Sequence, residues 1–124
     1  MKKVTYTFSL ICALLITLGM GVMVGEFKFD SESHDFGRIP QNKSVTHEFV
    51  FTNTGDSPII ISDVKPTCGC SVAEFTKTPV KPSEKGTIKV VFNAAAAGPF
   101  TKSFIVRSNT KTPVKNLTIK GIVE

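Results

Sequence analysis

Tryptophan is absent from this chain, and tyrosine occurs once against ten phenylalanines. Without tryptophan, the Cys…Trp…Cys core of antibody domains is excluded. Cysteine is almost as scarce: Cys12 lies in an apolar leader, which leaves Cys68 and Cys70 as the only thiols of the remaining chain. Two cysteines cannot form a disulfide framework, and they supply half of a zinc set. Histidine occurs twice, as His34 and His47. There is no Gly-x-Ser-x-Gly, no glycine-rich phosphate loop and no credible Ser/His/Asp set, so no known catalytic constellation is present. The expectation is a protein that is not an enzyme.

Charge is equally uninformative about partners. Setting aside Lys2 and Lys3, thirteen of the fifteen Lys and Arg remain against ten Asp and Glu. The lysines are spread along the chain between apolar residues, as on the solvated face of a sheet, and build no nucleic-acid patch.

The chain opens Met1-Lys2-Lys3 and then carries no charge from Val4 to Gly25. A basic start followed by an apolar stretch is the pattern of an export signal. The stretch is also close to the ~20 residues that span a bilayer, so an uncleaved anchor competes with a cleaved signal peptide. Gly19, Gly21 and Gly25 offer cleavage points. The apolar run continues past Cys12, which argues against a lipidated cysteine there. Residues 1–25 are thus read as signal peptide or membrane anchor, and 26–124 as one domain in the periplasm or cell envelope. Membrane contact is expected only through the leader, and only if it is retained.

Beyond the leader the dominant period is two. Ile88, Val90 and Phe92 share one face, as do Phe100, Phe104 and Val106, and Leu117 and Ile119 follow. Such alternation marks strands with one buried face. Turn chemistry separates them at Asn53-Thr54-Gly55-Asp56-Ser57-Pro58, at Lys81–Gly86, at Ala97-Gly98-Pro99 and at Ser108–Pro113. Strands are expected near 27–30 and 34–37 (read as one bent strand or two), then 44–53, 58–64, 69–75, 86–93, 100–108 and 115–123. The four alanines Ala94–Ala97 are too few to nucleate a helix. The fold class that follows is all-β: an immunoglobulin-like β-sandwich of about seven strands, preceded by an N-terminal hydrophobic signal or anchor helix.

Two further motifs are specific in combination. Phe49-x-Phe51-Thr52-Asn53-Thr54-Gly55-Asp56-Ser57-Pro58-Ile59-Ile60-Ile61 is followed by Thr67-Cys68-Gly69-Cys70-Ser71. With Asp35-Phe36-Gly37-Arg38-Ile39 upstream and Lys81-Pro82-Ser83-Glu84-Lys85-Gly86 downstream, the chain resembles the DUF1573 family across 33–124. That resemblance implies an exported immunoglobulin-like domain related to ASH and MSP-type sandwiches, and it implies no activity. Ser83 departs from the pattern, standing where the family usually has a turn glycine.

The candidate site is Cys68-Gly69-Cys70. A disulfide closing so small a loop is worth only about 1.5 kcal/mol by chain entropy. It also needs a bend, which Gly69 could supply. On a strand, both thiolates would face one way and could share a Cu(I) ion. The pair could instead pack as small apolar side chains around a glycine bulge. A local disulfide with redox chemistry, a copper pair and a structural element therefore all remain open. No cofactor is expected, with copper the alternative. His34 and His47 are distant in sequence, and His47 falls on the apolar parity of its strand, so packing is expected for it before ligation. Asn53 and Gly55 read as an Asx-capped turn, with a binding role the lesser alternative. The expected role is a binding or structural module whose partner is an unidentified envelope protein or surface component.

Overall fold

The computed structural model describes residues 23–124; the expected leader helix lies outside the described residues. Alternation becomes eight strands: β1 (Phe27–Phe29), β2 (Ser33–Ile39), β3 (Val45–Asn53), β4 (Ile61–Pro66), β5 (Ser71–Phe75), β6 (Lys85–Phe92), β7 (Gly98–Ser108) and β8 (Val114–Val123). They form two four-stranded sheets, ordered β1-β3-β6-β5 and β2-β8-β7-β4. All neighbours are antiparallel except β2, which runs parallel to β8 with Ser33 opposite Thr118 and Ile39 opposite Val123. Among the described residues there is no helix.

The core lies between the sheets. The first sheet contributes Phe49, Phe51, Ile88, Val90 and Phe92, and the second Phe104, Val106, Leu117, Ile119 and Val123, all buried. Each such side chain contributes roughly 1.5–3 kcal/mol on leaving water, so the period-two pattern decides the fold. Phe27 and Phe29 close one flank of the core by packing on the Phe51 ring at 4.8 and 5.5 Å.

The strand boundaries differ from expectation in three places. The segments near 27–30 and 34–37 are two strands in opposite sheets, not one bent strand, which raises the count from seven to eight. Between them the chain turns through Asp30–Glu32. β2 then carries a register shift between Asp35 and Arg38, with Gly37 at φ 69° and its N–H donating to Asp35 Oδ1 at 2.8 Å. A residue with a Cβ is disfavoured at that backbone angle, which accounts for the glycine.

The run Pro58-Ile59-Ile60-Ile61 does not open the next strand. Ile59 forms an isolated bridge to Val80, Ile60 is exposed, and β4 starts at Ile61. The strand expected over 69–75 begins only at Ser71, because the preceding residues carry the chain from one sheet to the other. This crossover displays the cysteines.

The candidate functional site

β4 is an edge of the second sheet and β5 an edge of the first, so the segment Thr67–Cys70 passes between sheets on one side of the sandwich. Both ends of the passage are fastened by hydrogen bonds. Thr67 N–H donates to the Ser103 carbonyl at 3.0 Å, and the Thr67 hydroxyl accepts from Ser103 N–H at 3.3 Å. At the other end Asn93 N–H donates to the Cys70 carbonyl at 3.1 Å.

Between these anchors Cys68 and Cys70 are joined by a disulfide, with their Cα atoms 5.4 Å apart. The local disulfide left open by the sequence is the arrangement present: the cysteines lie in a turn, not on one face of a strand, and the turn brings the sulfurs together. Gly69 is exposed, outside the positive-φ region, and a Cβ there would meet no atom within 4 Å. The bend does not depend on its being glycine, nor does it form a bulge within a strand. Cys70 packs against the core, and both cysteines are half-buried.

Ser71, the first residue of β5, is a site residue that sequence reasoning passed over. It is buried, and its hydroxyl lies 3.8 Å from Cys68 Sγ and 3.9 Å from Cys70 Sγ. A disulfide sulfur has no hydrogen to give, so the single Ser71 O–H is the donor, shared between the two sulfurs. The Cys70 N–H adds a second donor to Cys68 Sγ, at 3.3 Å. The only sequence signal was adjacency: a hydroxyl directly after the pair, at a position whose parity turns it inward.

The other expected residues lie elsewhere. Asn53 is buried at the end of β3. Its Oδ1 accepts from Gly55 N–H at 2.9 Å and Glu26 N–H at 3.3 Å, while its Nδ2 donates to the carbonyls of Ser57 at 2.8 Å and Val80 at 2.9 Å. The Asx turn is present, but the same side chain also ties three other segments together. Gly55 is required by close approach, since a Cβ would sit 2.2 Å from the Val24 carbonyl oxygen and 2.6 Å from Glu26 N. Both residues are committed to holding the chain.

His34 on β2 and His47 on β3 meet each other and not the cysteines. In the first sheet, His47 is level with Val90 and Ala73, so β6 stands between it and the strand that follows the cysteines. Among the described residues no cluster of three or more His, Cys, Asp or Glu is placed to hold a metal ion. An open groove of about 450 Å³ runs along β2 and β8 past Arg38, Phe100 and Lys120, and neither the cysteines nor the histidines line it.

The chain matches the family described as protein of unknown function (DUF1573) over residues 27–123. It belongs to that family. No curated protein matches it. Among solved structures it is similar to a protein of unknown function from Porphyromonas gingivalis W83, with 14% identity and a TM-score of 0.71. That match covers 83% of this chain and 49% of the other, so the chain spans about half the length of that protein. It is also similar to the ASH / PapD-like domain of human CEP192, with 10% identity, a TM-score of 0.64, and 85% and 89% of the two chains covered. A third is SSP-19, an MSP-domain protein like family member in Caenorhabditis elegans, with 14% identity, a TM-score of 0.55, and 77% and 97% covered. At these identities the likeness is one of fold, and it is the ASH and MSP relation that the family resemblance implied.

Proposed function

We propose that residues 26–124 of this DUF1573 domain work outside the cytoplasm, in the periplasm or cell envelope, as a non-enzymatic module that binds a partner protein or surface component. The observation that carries this reading is the free edge of β5. Among the described residues that strand pairs only with β6, and it exposes Val72 at 60% on its outer face. An unpaired edge can accept an extended segment of another chain, with backbone bonds giving affinity and side chains giving choice. Support for the location comes from the basic start and uncharged Val4–Gly25 run, and from a disulfide of a kind that persists in oxidising compartments. Attachment to the membrane would run through residues 4–25 where that segment is retained.

The test is capture from envelope extract by the wild-type chain and by Val72→Lys, a substitution that guards edges. A partner held by the wild type and lost by the variant is the expected result. Equal capture by both removes β5 as the contact. Failure of the wild type to capture anything, together with a measurable turnover reaction, ends the reading.

A second reading is favoured by one observation: the half-buried disulfide sits in an exposed turn, outside any strand. Here Cys68 and Cys70 exchange with thiols, or bind Cu(I) once reduced. Anaerobically reduced protein is then expected to take up about one Cu(I), in keeping with the low coordination number of two thiolates. Cys68→Ser would abolish that uptake. A thiol count with and without reductant on the folded chain separates exchange from an inert staple.

A further inference from the structure

We propose that the Ser71 hydroxyl is the hydrogen-bond donor that makes the Cys68–Cys70 disulfide reducible by dithiols outside the cytoplasm, by stabilising the thiolate released on Cys68. This deepens the thiol-exchange reading and rests on it.

Three observations carry the assignment. Ser71 is buried, and among the described residues the polar atoms within bonding reach of its hydroxyl are the two sulfurs. A buried hydroxyl facing only disulfide sulfurs is poorly satisfied, because a neutral sulfur is a weak acceptor. A thiolate in the same place is a charged acceptor, and hydrogen bonds to charged groups are roughly twice as strong as neutral ones. Reduction therefore improves the bonding of Ser71, and that difference favours the dithiol state. Secondly, among the described residues Cys68 Sγ has two donors within reach, the shared Ser71 hydroxyl and the Cys70 N–H at 3.3 Å, whereas Cys70 Sγ has the shared hydroxyl alone. Cys68 is the sulfur better prepared to carry charge. Thirdly, the turn is fastened through Thr67 to Ser103 and through the Cys70 carbonyl to Asn93, by bonds that involve no sulfur. Those anchors persist when the S–S bond opens, so the donors keep their aim.

The exchange balances as follows. One thiolate of an external dithiol bonds to Cys70 Sγ; the Sγ–Sγ bond breaks, and its electron pair leaves on Cys68 Sγ toward Ser71 and the Cys70 N–H. The second thiolate of the reductant attacks its own partner sulfur in the mixed disulfide. Cys70 leaves with that electron pair and takes a proton, and the reductant closes its own disulfide. Two electrons pass from the dithiol to the domain. A better-stabilised leaving thiolate speeds the first step and shifts the equilibrium in the same direction.

The experiment equilibrates the full chain with reduced and oxidised dithiothreitol and reads the reduced fraction by thiol labelling and mass. Wild type, Ser71→Ala and Ser71→Thr are compared under conditions where all three are folded. Ser71→Ala is expected to make reduction about tenfold less favourable, which is about 30 mV toward more negative potential for a two-electron couple. It should also move the alkylation of Cys68 in the reduced protein to higher pH. Ser71→Thr, which keeps the hydroxyl, should restore both. If the wild type is reduced while folded and Ser71→Ala matches it in equilibrium and alkylation profile, the role of Ser71 is overturned. If the wild-type disulfide resists reduction until the domain unfolds, the thiol-exchange reading itself is overturned.

Discussion

The imidazoles of His34 and His47 stack face to face, with centroids 3.8 Å apart and planes inclined by only 9°. They come from different sheets, and each is flanked edge-on by a phenylalanine: Phe36 at 4.6 Å from His34 and Phe49 at 4.7 Å from His47. Burial is the main cause that pushes the His47 titration below its ordinary value, with His34 acting the same way and Glu48 opposing.

The first prediction concerns acid. The fold favours neutral His47, while the unfolded chain takes up its proton near 6.5. His47 therefore contributes stability above about pH 6.5, and that contribution is lost as pH falls toward the lowered folded value. Thermal midpoints measured across that window should decline for the wild type and decline less for His47→Phe, which keeps an aromatic ring in the stack. Parallel declines would show that the stack does not set the acid response.

Asn53 should prove the costliest polar residue to replace. Asn53→Ala strands the Glu26 and Gly55 N–H groups and the Ser57 carbonyl, while the Val80 carbonyl keeps its bond from Ile59 N–H, which puts the loss at about 3 kcal/mol in denaturant unfolding. Asn53→Asp keeps the acceptor but turns an oxygen toward the carbonyls of Ser57 and Val80. It should rescue little.

Gly55→Ala is expected to destabilise by about 2 kcal/mol, since the new methyl group can be accommodated only by displacing Val24–Glu26. Limited proteolysis should then cut before β1 in the variant and spare the wild type. A variant with unchanged stability and cleavage would show that this N-terminal segment gives way freely.

Ser83 stands at φ 69°, with its N–H donating to the Asn53 carbonyl at 2.8 Å. The position holds a left-handed backbone, which glycine adopts without the steric cost of a Cβ. Ser83→Gly should therefore stabilise the fold by about 0.5–1 kcal/mol, the left-handed penalty exceeding the added entropy of glycine. A lower melting midpoint for the variant would refute this.

Much of the sandwich was legible because burial on one face writes itself as alternation. The expectations of 44–53, 86–93 and 115–123 became Val45–Asn53, Lys85–Phe92 and Val114–Val123. What alternation cannot carry is the identity of a neighbour. Nothing around Ser33–Ile39 announces a parallel partner at Thr118–Val123, and the shift at Gly37 interrupts the pattern that would have separated this strand from Phe27–Phe29. The isoleucine run misled for a related reason: Ile59 is buried by a bridge to Val80 and by no strand of its own. At the candidate site the cysteine pair stood out, but its setting did not. Whether two cysteines one residue apart share a strand face or a turn depends on where the chain changes sheets. The inward aim of the Ser71 hydroxyl follows from that same crossing.

The parallel pairing of β2 with β8 also has a temporal consequence. The second sheet takes its central ladder from the last strand of the domain, because β8 joins β2 to β7. Among the described residues β2 has no other sheet neighbour, and β7 has one side bare, until Val114–Val123 is in place. Contacts this remote in sequence form slowly, and only after the intervening loop has been closed. Until β8 docks, the second sheet amounts to the β7–β4 pair alone.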